Sequence, residues 1–130
     1  MRFFFYLIFF GFLISFSSCR KDFEFKDSSG GLQFSRDTVY LDTVFTNIGS
    51  STYTLKVYNS SDSDINIPLV QLGKGAESKY RMTVDGMTGN NGKIFNNVEL
   101  LAKDSLYIFI ETTANIADTN PTDFLYTDQI

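Results

Sequence analysis

Histidine and tryptophan are both absent from this chain of 130 residues. Histidine is the commonest general base and the commonest metal ligand in proteins, so its absence removes most designs for an acid–base or metal-dependent enzyme. A single cysteine, Cys19, excludes an internal disulfide and a zinc site built from several thiolates. We therefore expect a non-catalytic protein that carries no cofactor and no metal.

Positive charge is also scarce. The chain has 11 Lys and Arg against 15 Asp and Glu, which gives a formal net charge of −4, and the basic residues do not form clusters. Nucleic-acid backbones are bound by patches of basic side chains. The sequence therefore predicts no nucleic-acid partner.

The first 18 residues are nearly all apolar. Arg2 supplies a positive start, the run from Phe3 to Phe16 supplies the apolar stretch, and small residues follow, which together are typical of a signal peptide. The alternative is a retained membrane anchor. A helix over residues 3–18 would be about 24 Å long at about 1.5 Å per residue, which is short for a hydrocarbon core of roughly 30 Å. We predict a cleavable signal peptide over residues 1–18.

The cysteine stands directly after this apolar segment. Phe16-Ser17-Ser18-Cys19 resembles the bacterial lipobox, with Phe16 where that family usually has leucine. The resemblance implies that a diacylglycerol is attached to the Cys19 thiol and that the leader is cut just before it. Each buried CH₂ of an acyl chain contributes about 0.8 kcal/mol, so two or more chains give a stable anchor. We expect Cys19 to be lipidated and the membrane to be a partner; an unmodified thiol is the alternative.

Residues 19–31 have the composition of a tether. Mixed charges follow the cysteine, and Ser28-Ser29-Gly30-Gly31 is typical of a flexible hinge. Lys21-Asp22 with Glu24 resembles the surface-export signal of Bacteroidetes lipoproteins, although a plain solvated linker explains these residues equally well. We expect an outer-membrane lipoprotein and leave open which face of that membrane it occupies.

Residues 32–130 show the alternation of apolar and polar side chains that is typical of β-strands. The clearest segments are Asp37–Thr46, Thr52–Asn59, Ile65–Leu69, Tyr80–Val84, Val98–Leu100 and Leu106–Glu111. No segment of helical length combines a 3.6-residue period with capping residues. Short strands separated by turn residues at this spacing predict an all-β, antiparallel β-sandwich.

Three stretches, residues 41–50, 55–59 and 98–109, are similar to Ig-like domains of the hydin and abnormal-spindle type. More narrowly, the chain resembles the N-terminal region of uncharacterised Bacteroidetes lipoproteins, in which such a domain precedes a right-handed parallel β-helix. The resemblance implies an Ig-like sandwich that lacks its last strand at residue 130, and it implies no catalytic residues. We expect either a fragment of a longer protein or a domain that recruits a strand from a partner.

Three triplets have the pattern Asp-Ser/Thr-aliphatic, which is similar to the O-glycosylation sequon of exported Bacteroidetes proteins. This similarity implies sugars on Thr38, Thr43 and Ser105. The composition of ordinary strand ends is the alternative explanation for these triplets.

The sequence thus favours a cell-envelope lipoprotein whose Ig-like module acts as a spacer or binds an unidentified protein or glycan. Tyr58 and Tyr107 are candidates for stacking on sugars or, alternatively, for cross-strand packing. The carboxylates of Asp85, Glu99 and Glu111 show no pattern that predicts their convergence in a glycosidase. Two other functions stay open: an adhesin or pilus-like subunit that uses strand donation, and the N-terminal module of a glycan-acting enzyme.

Overall fold

The protein folds as a β-sandwich, which confirms the predicted all-β class. The computed structural model describes residues 22–115 and 125–130, so the predicted signal peptide and Cys19 lie outside the described residues. The strands are β1 Lys26–Asp27, β2 Gln33–Phe34, β3 Tyr53–Tyr58, β4 Ile65–Gln71, β5 Tyr80–Val84, β6 Ile94–Leu100 and β7 Ser105–Thr112. The helical content of the described part is a single 3₁₀ turn at Gly75–Glu77.

The strands form two sheets. One has four strands in the order β2-β3-β7-β5 and is antiparallel throughout. The other has three strands in the order β1-β4-β6, in which β4 and β6 are antiparallel and β1 runs parallel to β4. The chain passes from one sheet to the other at every connection between successive strands except that between β2 and β3. Both sheets therefore contribute one face to a common core.

Period-2 alternation explains which side chains form that core. Along β3 and β7, every second residue is buried, while the residues between them face solvent. The buried apolar side chains are Leu55, Val57, Ile67, Leu72, Met82, Val84, Phe95, Val98, Leu100, Leu106, Ile108 and Ile110. Burial of apolar area at about 25 cal/mol per Å² makes this layer the main source of stability.

The alternation shifts at one position of the three-stranded sheet. Ile67 is buried on β4, but Leu69, which strict alternation would place on the same face, has 47% of its surface exposed. Pro68 has no backbone N–H, and its position in the register lies opposite Asn97, which has a positive φ of 53°. The sequence had predicted that Leu69 would share a face with Ile67, and this local irregularity is why it does not.

The predicted strand over Asp37–Thr46 is wrong. The segment has no regular secondary structure, apart from a single bridge between Thr46 and Ala114. Val39 and Leu41 pack half-buried against the core, whereas Tyr40 is 83% exposed. The side chains thus alternate as in a strand, but a strand also needs a neighbouring strand to accept its backbone hydrogen bonds, and this segment has none in the described part.

The predicted tether contains β1. The backbone N–H groups of Lys26 and Ser28 donate to the carbonyls of Asp64 and Asn66. In addition, the Asn66 side-chain amide donates to Asp27 at 2.9 Å. The chain is therefore already attached to the sheet at Lys26, before the predicted hinge Ser28–Gly31 begins.

Candidate functional site

A groove of about 670 Å³ opens between the two sheets. Its floor is apolar, and its walls are two segments without regular structure, residues 36–41 and the C-terminal segment 125–130. The lining residues are Phe34, Arg36, Asp37, Thr38, Val39, Tyr40, Leu41, Leu55, Leu72, Tyr80, Ile110, Leu125, Tyr126, Thr127, Asp128, Gln129 and Ile130. Apolar side chains predominate in the lining of this groove, and concave apolar surfaces are the usual places for binding.

The three-stranded sheet has an unpaired stretch of strand near the groove. β4 pairs with β6 along its length, but β1 pairs with β4 only at Ile65 and Asn66. Within residues 22–115 and 125–130, no strand pairs with Ile67–Gln71 on the side away from β6. We call this stretch the β4 edge. Leu72, which follows the β4 edge directly, lines the groove, so the unpaired strand edge leads into the apolar floor.

The C-terminal segment 125–130 is held against the sandwich by backbone and side-chain contacts around Tyr126. The Tyr80 hydroxyl donates to the Tyr126 carbonyl at 2.6 Å, and the Lys79 backbone N–H donates to the Tyr126 hydroxyl at 3.1 Å. The Lys74 ammonium lies 3.9 Å from the centre of the Tyr126 ring, which is cation–π geometry. The Gly73 N–H donates to the Gln129 carbonyl at 2.7 Å. This segment is therefore a fixed wall of the groove.

Two ionisable groups that line the groove have shifted pKa values. Burial raises the pKa of Asp128, but hydrogen bonds from Ser78, Gln129 and Lys74 outweigh it, so the pKa of Asp128 is lowered overall. Burial is also the main reason that the pKa of Tyr80 is raised, with smaller contributions from Tyr126 and Asp128. At neutral pH the lining of the groove therefore carries an ionised Asp128 and a protonated Tyr80.

A second surface lies on the solvent face of the four-stranded sheet. The rings of Tyr107 and Phe109 are stacked, with their centres 6.1 Å apart and their planes 12° from parallel. The Lys56 ammonium is 5.2 Å from the centre of the Tyr107 ring and 5.1 Å from that of Tyr58. Tyr58 and Tyr107, the candidates for sugar stacking, therefore both contact Lys56. Cross-strand packing alone would produce the same contacts.

The predicted glycosylation residues are separate from one another. Thr38 and Thr43 are exposed on the segment without regular structure, and Thr38 lies at the rim of the groove. Ser105 is half-buried at the start of β7. The N–H groups of Thr43 and Ser105 each donate to the carboxylate of the preceding aspartate at 2.7 Å.

The carboxylates considered for catalysis do not converge. Glu99 is on the solvent face of the three-stranded sheet, and Glu111 is on that of the four-stranded sheet, where it pairs with Arg81 at 3.1 Å. Asp85 is exposed directly after β5. Within the described ranges, no group of three acidic, cysteine or histidine side chains is placed to hold a metal ion.

No helix among these same residues has the length and apolar character needed to cross a bilayer. Comparison with protein-family models, with curated proteins and with solved structures found no match. The expectation of a missing last strand included unpaired backbone groups and an apolar groove, but it placed them at the C-terminal end of the domain rather than at β4. Pro68, inside an apolar, alternating segment, is the signal in the sequence for an edge at β4.

Proposed function

We propose that this protein is a non-catalytic lipoprotein of the bacterial cell envelope, anchored in the outer membrane by lipid on Cys19. The β-sandwich serves as a spacer or binding module outside the cytoplasm. The observation that carries the proposal is the order of residues at the N-terminus: an apolar leader, two serines and then the only cysteine of the chain.

Features of the folded part support a binding or spacing role over catalysis. Of the carboxylates considered for catalysis, Glu99 and Glu111 lie on opposite faces of the sandwich, so these two do not form an acid–base pair. The described residues also form an apolar groove near an unpaired strand edge. Such surfaces are suited to holding another molecule rather than to activating one.

The test is to express the full chain in a Gram-negative host that is fed labelled palmitate, together with Cys19→Ser and the matched control Ser17→Ala. We expect the wild type and the Ser17→Ala variant to take up label and to sediment with outer membranes, because both keep a small residue before an intact thiol. The Cys19→Ser variant should take up no label and should keep its leader. The proposal fails if Cys19→Ser still partitions with membranes after its leader has been removed.

Intact-mass measurement of the native protein, purified from the organism that makes it, tests the proposed sugars on Thr38, Thr43 and Ser105. A mass above that of polypeptide plus lipid, which falls when Thr38 and Thr43 are both changed to Val, supports O-glycosylation of these exposed residues. A mass equal to polypeptide plus lipid removes that part of the proposal.

A further inference from the structure

We propose that Asn91 is a site of spontaneous deamidation and that the fold slows this reaction by holding the backbone nitrogen of Gly92. This modification goes beyond the function proposed above and does not depend on lipidation of Cys19. The chemistry of one dipeptide and the contacts of its turn carry the inference.

Asn91-Gly92 is the only Asn-Gly dipeptide in the sequence. Glycine has no side chain to shield its backbone nitrogen, so this nitrogen can attack the side-chain carbonyl carbon of the preceding asparagine. Hydroxide removes the N–H proton of Gly92, a C–N bond forms, and the bond from that carbon to the side-chain nitrogen breaks. The released nitrogen takes a proton from water and leaves as ammonia. Water then opens the cyclic succinimide and gives aspartate or isoaspartate.

The dipeptide occupies the two central positions of a type I′ turn. The Lys93 N–H donates to the Asn90 carbonyl at 3.0 Å, and Asn91 and Gly92 have φ values of 52° and 68°. Asn-Gly is favoured in such turns because both residues tolerate a positive φ. The residues that form the turn are therefore also the residues that permit the reaction.

Gly92 is held through both of its peptide groups. Its N–H donates to the Thr88 carbonyl at 3.0 Å, and its carbonyl accepts from the Met82 N–H at 2.6 Å. A Cβ on Gly92 would lie 3.1 Å from the Arg81 Cβ, so the residue packs closely against β5. The nitrogen can attack only after its hydrogen bond to Thr88 has opened. Deamidation in the folded protein is therefore limited to the fraction of molecules in which residues 88–93 are locally open.

A second type I′ turn in the chain lacks these restraints. Asp85 and Gly86 have φ values of 47° and 81°, and the Met87 N–H donates to the Val84 carbonyl at 2.8 Å. Within the described part of the chain, the Gly86 N–H has no hydrogen-bond partner, and a Cβ on Gly86 would meet nothing within 4 Å. Asparagine at position 85 would thus stand in the same type of turn, before a glycine nitrogen that is not held.

Every other asparagine of the chain precedes a residue that has a side chain. Asn97 is a useful internal reference, because it is exposed and has a φ of 53°, close to that of Asn91. It precedes Val98, whose branched Cβ shields the backbone nitrogen. Asn97 should therefore react far more slowly than Asn91 whenever both are unprotected.

The experiment measures deamidation of the full-length chain, purified in detergent and incubated at mildly alkaline pH. Peptide mapping with mass spectrometry gives the conversion at each asparagine, in native buffer and in guanidinium chloride. We expect Asn91 to be the asparagine that converts fastest in guanidinium chloride, and to react at least about tenfold more slowly in the native protein. Asn97 should stay unconverted over the same period in both conditions.

The Asp85→Asn variant provides the matched comparison within one molecule. In the folded variant, the introduced asparagine should convert at least about fivefold faster than Asn91, while in guanidinium chloride the two rates should agree within about threefold. Circular dichroism checks that the variant is folded. If it is not, amide exchange of the wild type by NMR replaces it, and the Gly92 N–H should then exchange at least about tenfold more slowly than the Gly86 N–H.

Three results would overturn the inference. The first is equal conversion of Asn91 in native buffer and in guanidinium chloride, which would show that the fold does not hold the Gly92 nitrogen. The second is equal conversion at positions 85 and 91 in folded Asp85→Asn, or equal amide exchange of Gly86 and Gly92. The third is faster conversion of another asparagine than of Asn91 in guanidinium chloride.

Discussion

Among the buried polar residues, Asn59 is the one whose substitution we expect to destabilise the fold most. It follows β3 and has 4% of its surface exposed. Its side-chain amide donates to the carbonyls of Ser63 at 2.8 Å and Leu101 at 3.0 Å, and its side-chain oxygen accepts from the Ser61 N–H at 3.0 Å. Its backbone N–H donates to Asp104 at 2.9 Å. This one residue therefore joins the β3–β4 loop to the β6–β7 loop.

The magnitude follows from these contacts. The three side-chain hydrogen bonds are worth about 1 kcal/mol each, and their partners are only partly buried and can turn to water, so Asn59→Ala should cost about 3 kcal/mol. This is a large part of the roughly 5–15 kcal/mol by which small domains are stable. Asn59→Asp keeps the shape but turns a carboxylate toward carbonyl oxygens, and should cost about 3–5 kcal/mol at neutral pH.

The destabilisation by Asn59→Asp should also depend on pH. Burial and facing carbonyls raise the pKa of the introduced carboxyl above its unfolded value, so the folded state prefers the protonated form. The penalty is therefore absent at pH values below the unfolded pKa and grows as the pH rises above it. Lowering the pH from about 7 to about 4 should return part of the lost stability relative to wild type.

The assay is urea unfolding followed by circular dichroism, at both pH values, with Asn96→Asp as the control. Asn96 is exposed on β6, so that change adds the same charge without burying it. Equal unfolding midpoints for Asn59→Asp and Asn96→Asp at neutral pH would refute the reasoning. A penalty for Asn59→Asp that is the same at both pH values would refute the electrostatic part alone.

Two further predictions concern a turn and an ion pair. Gly89 has a φ of +55°, and a Cβ there would lie 2.6 Å from the Ile94 carbonyl oxygen. Gly89→Ala should therefore lower the urea midpoint far more than Gly86→Ala, because a Cβ at Gly86 would meet open space. Equal midpoints would contradict this prediction. A hydrogen bond from Thr52 is the first cause of the lowered pKa of Glu111, with burial opposing it and Arg81 adding to it. The stability that Glu111 contributes is thus present at neutral pH and lost as the pH falls through that lowered pKa. Thr52→Val should move the NMR titration midpoint of Glu111 upward, and an unchanged midpoint would contradict the assignment.

The strands that pair with other strands along their whole length were predictable from the sequence. The alternation over Thr52–Asn59 corresponds to β3, and that over Leu106–Glu111 corresponds to β7. In both, a polar face meets water and an apolar face meets the core, so the local pattern and the tertiary environment agree.

Features that depend on pairing could not be predicted in this way. Residues 37–46 have the composition of a strand, yet composition does not supply a neighbouring strand, and the segment remains without regular pairing. Conversely, β1 forms in a charged segment because Asp64 and Asn66 accept its N–H groups. The first of these segments lines the groove, so its position could not be predicted from alternation alone.

The early attachment of β1 limits how far the folded module can stand from a bilayer. Seven peptide steps separate Cys19 from Lys26, and a fully extended chain covers at most about 3.6 Å per step, or about 25 Å in all. A module anchored by a lipid at Cys19 would thus lie close to the lipid headgroups and could reorient only within a short distance of the membrane. Any ligand would have to approach within this shallow layer, so accessibility to large soluble molecules would be governed by crowding at the membrane surface.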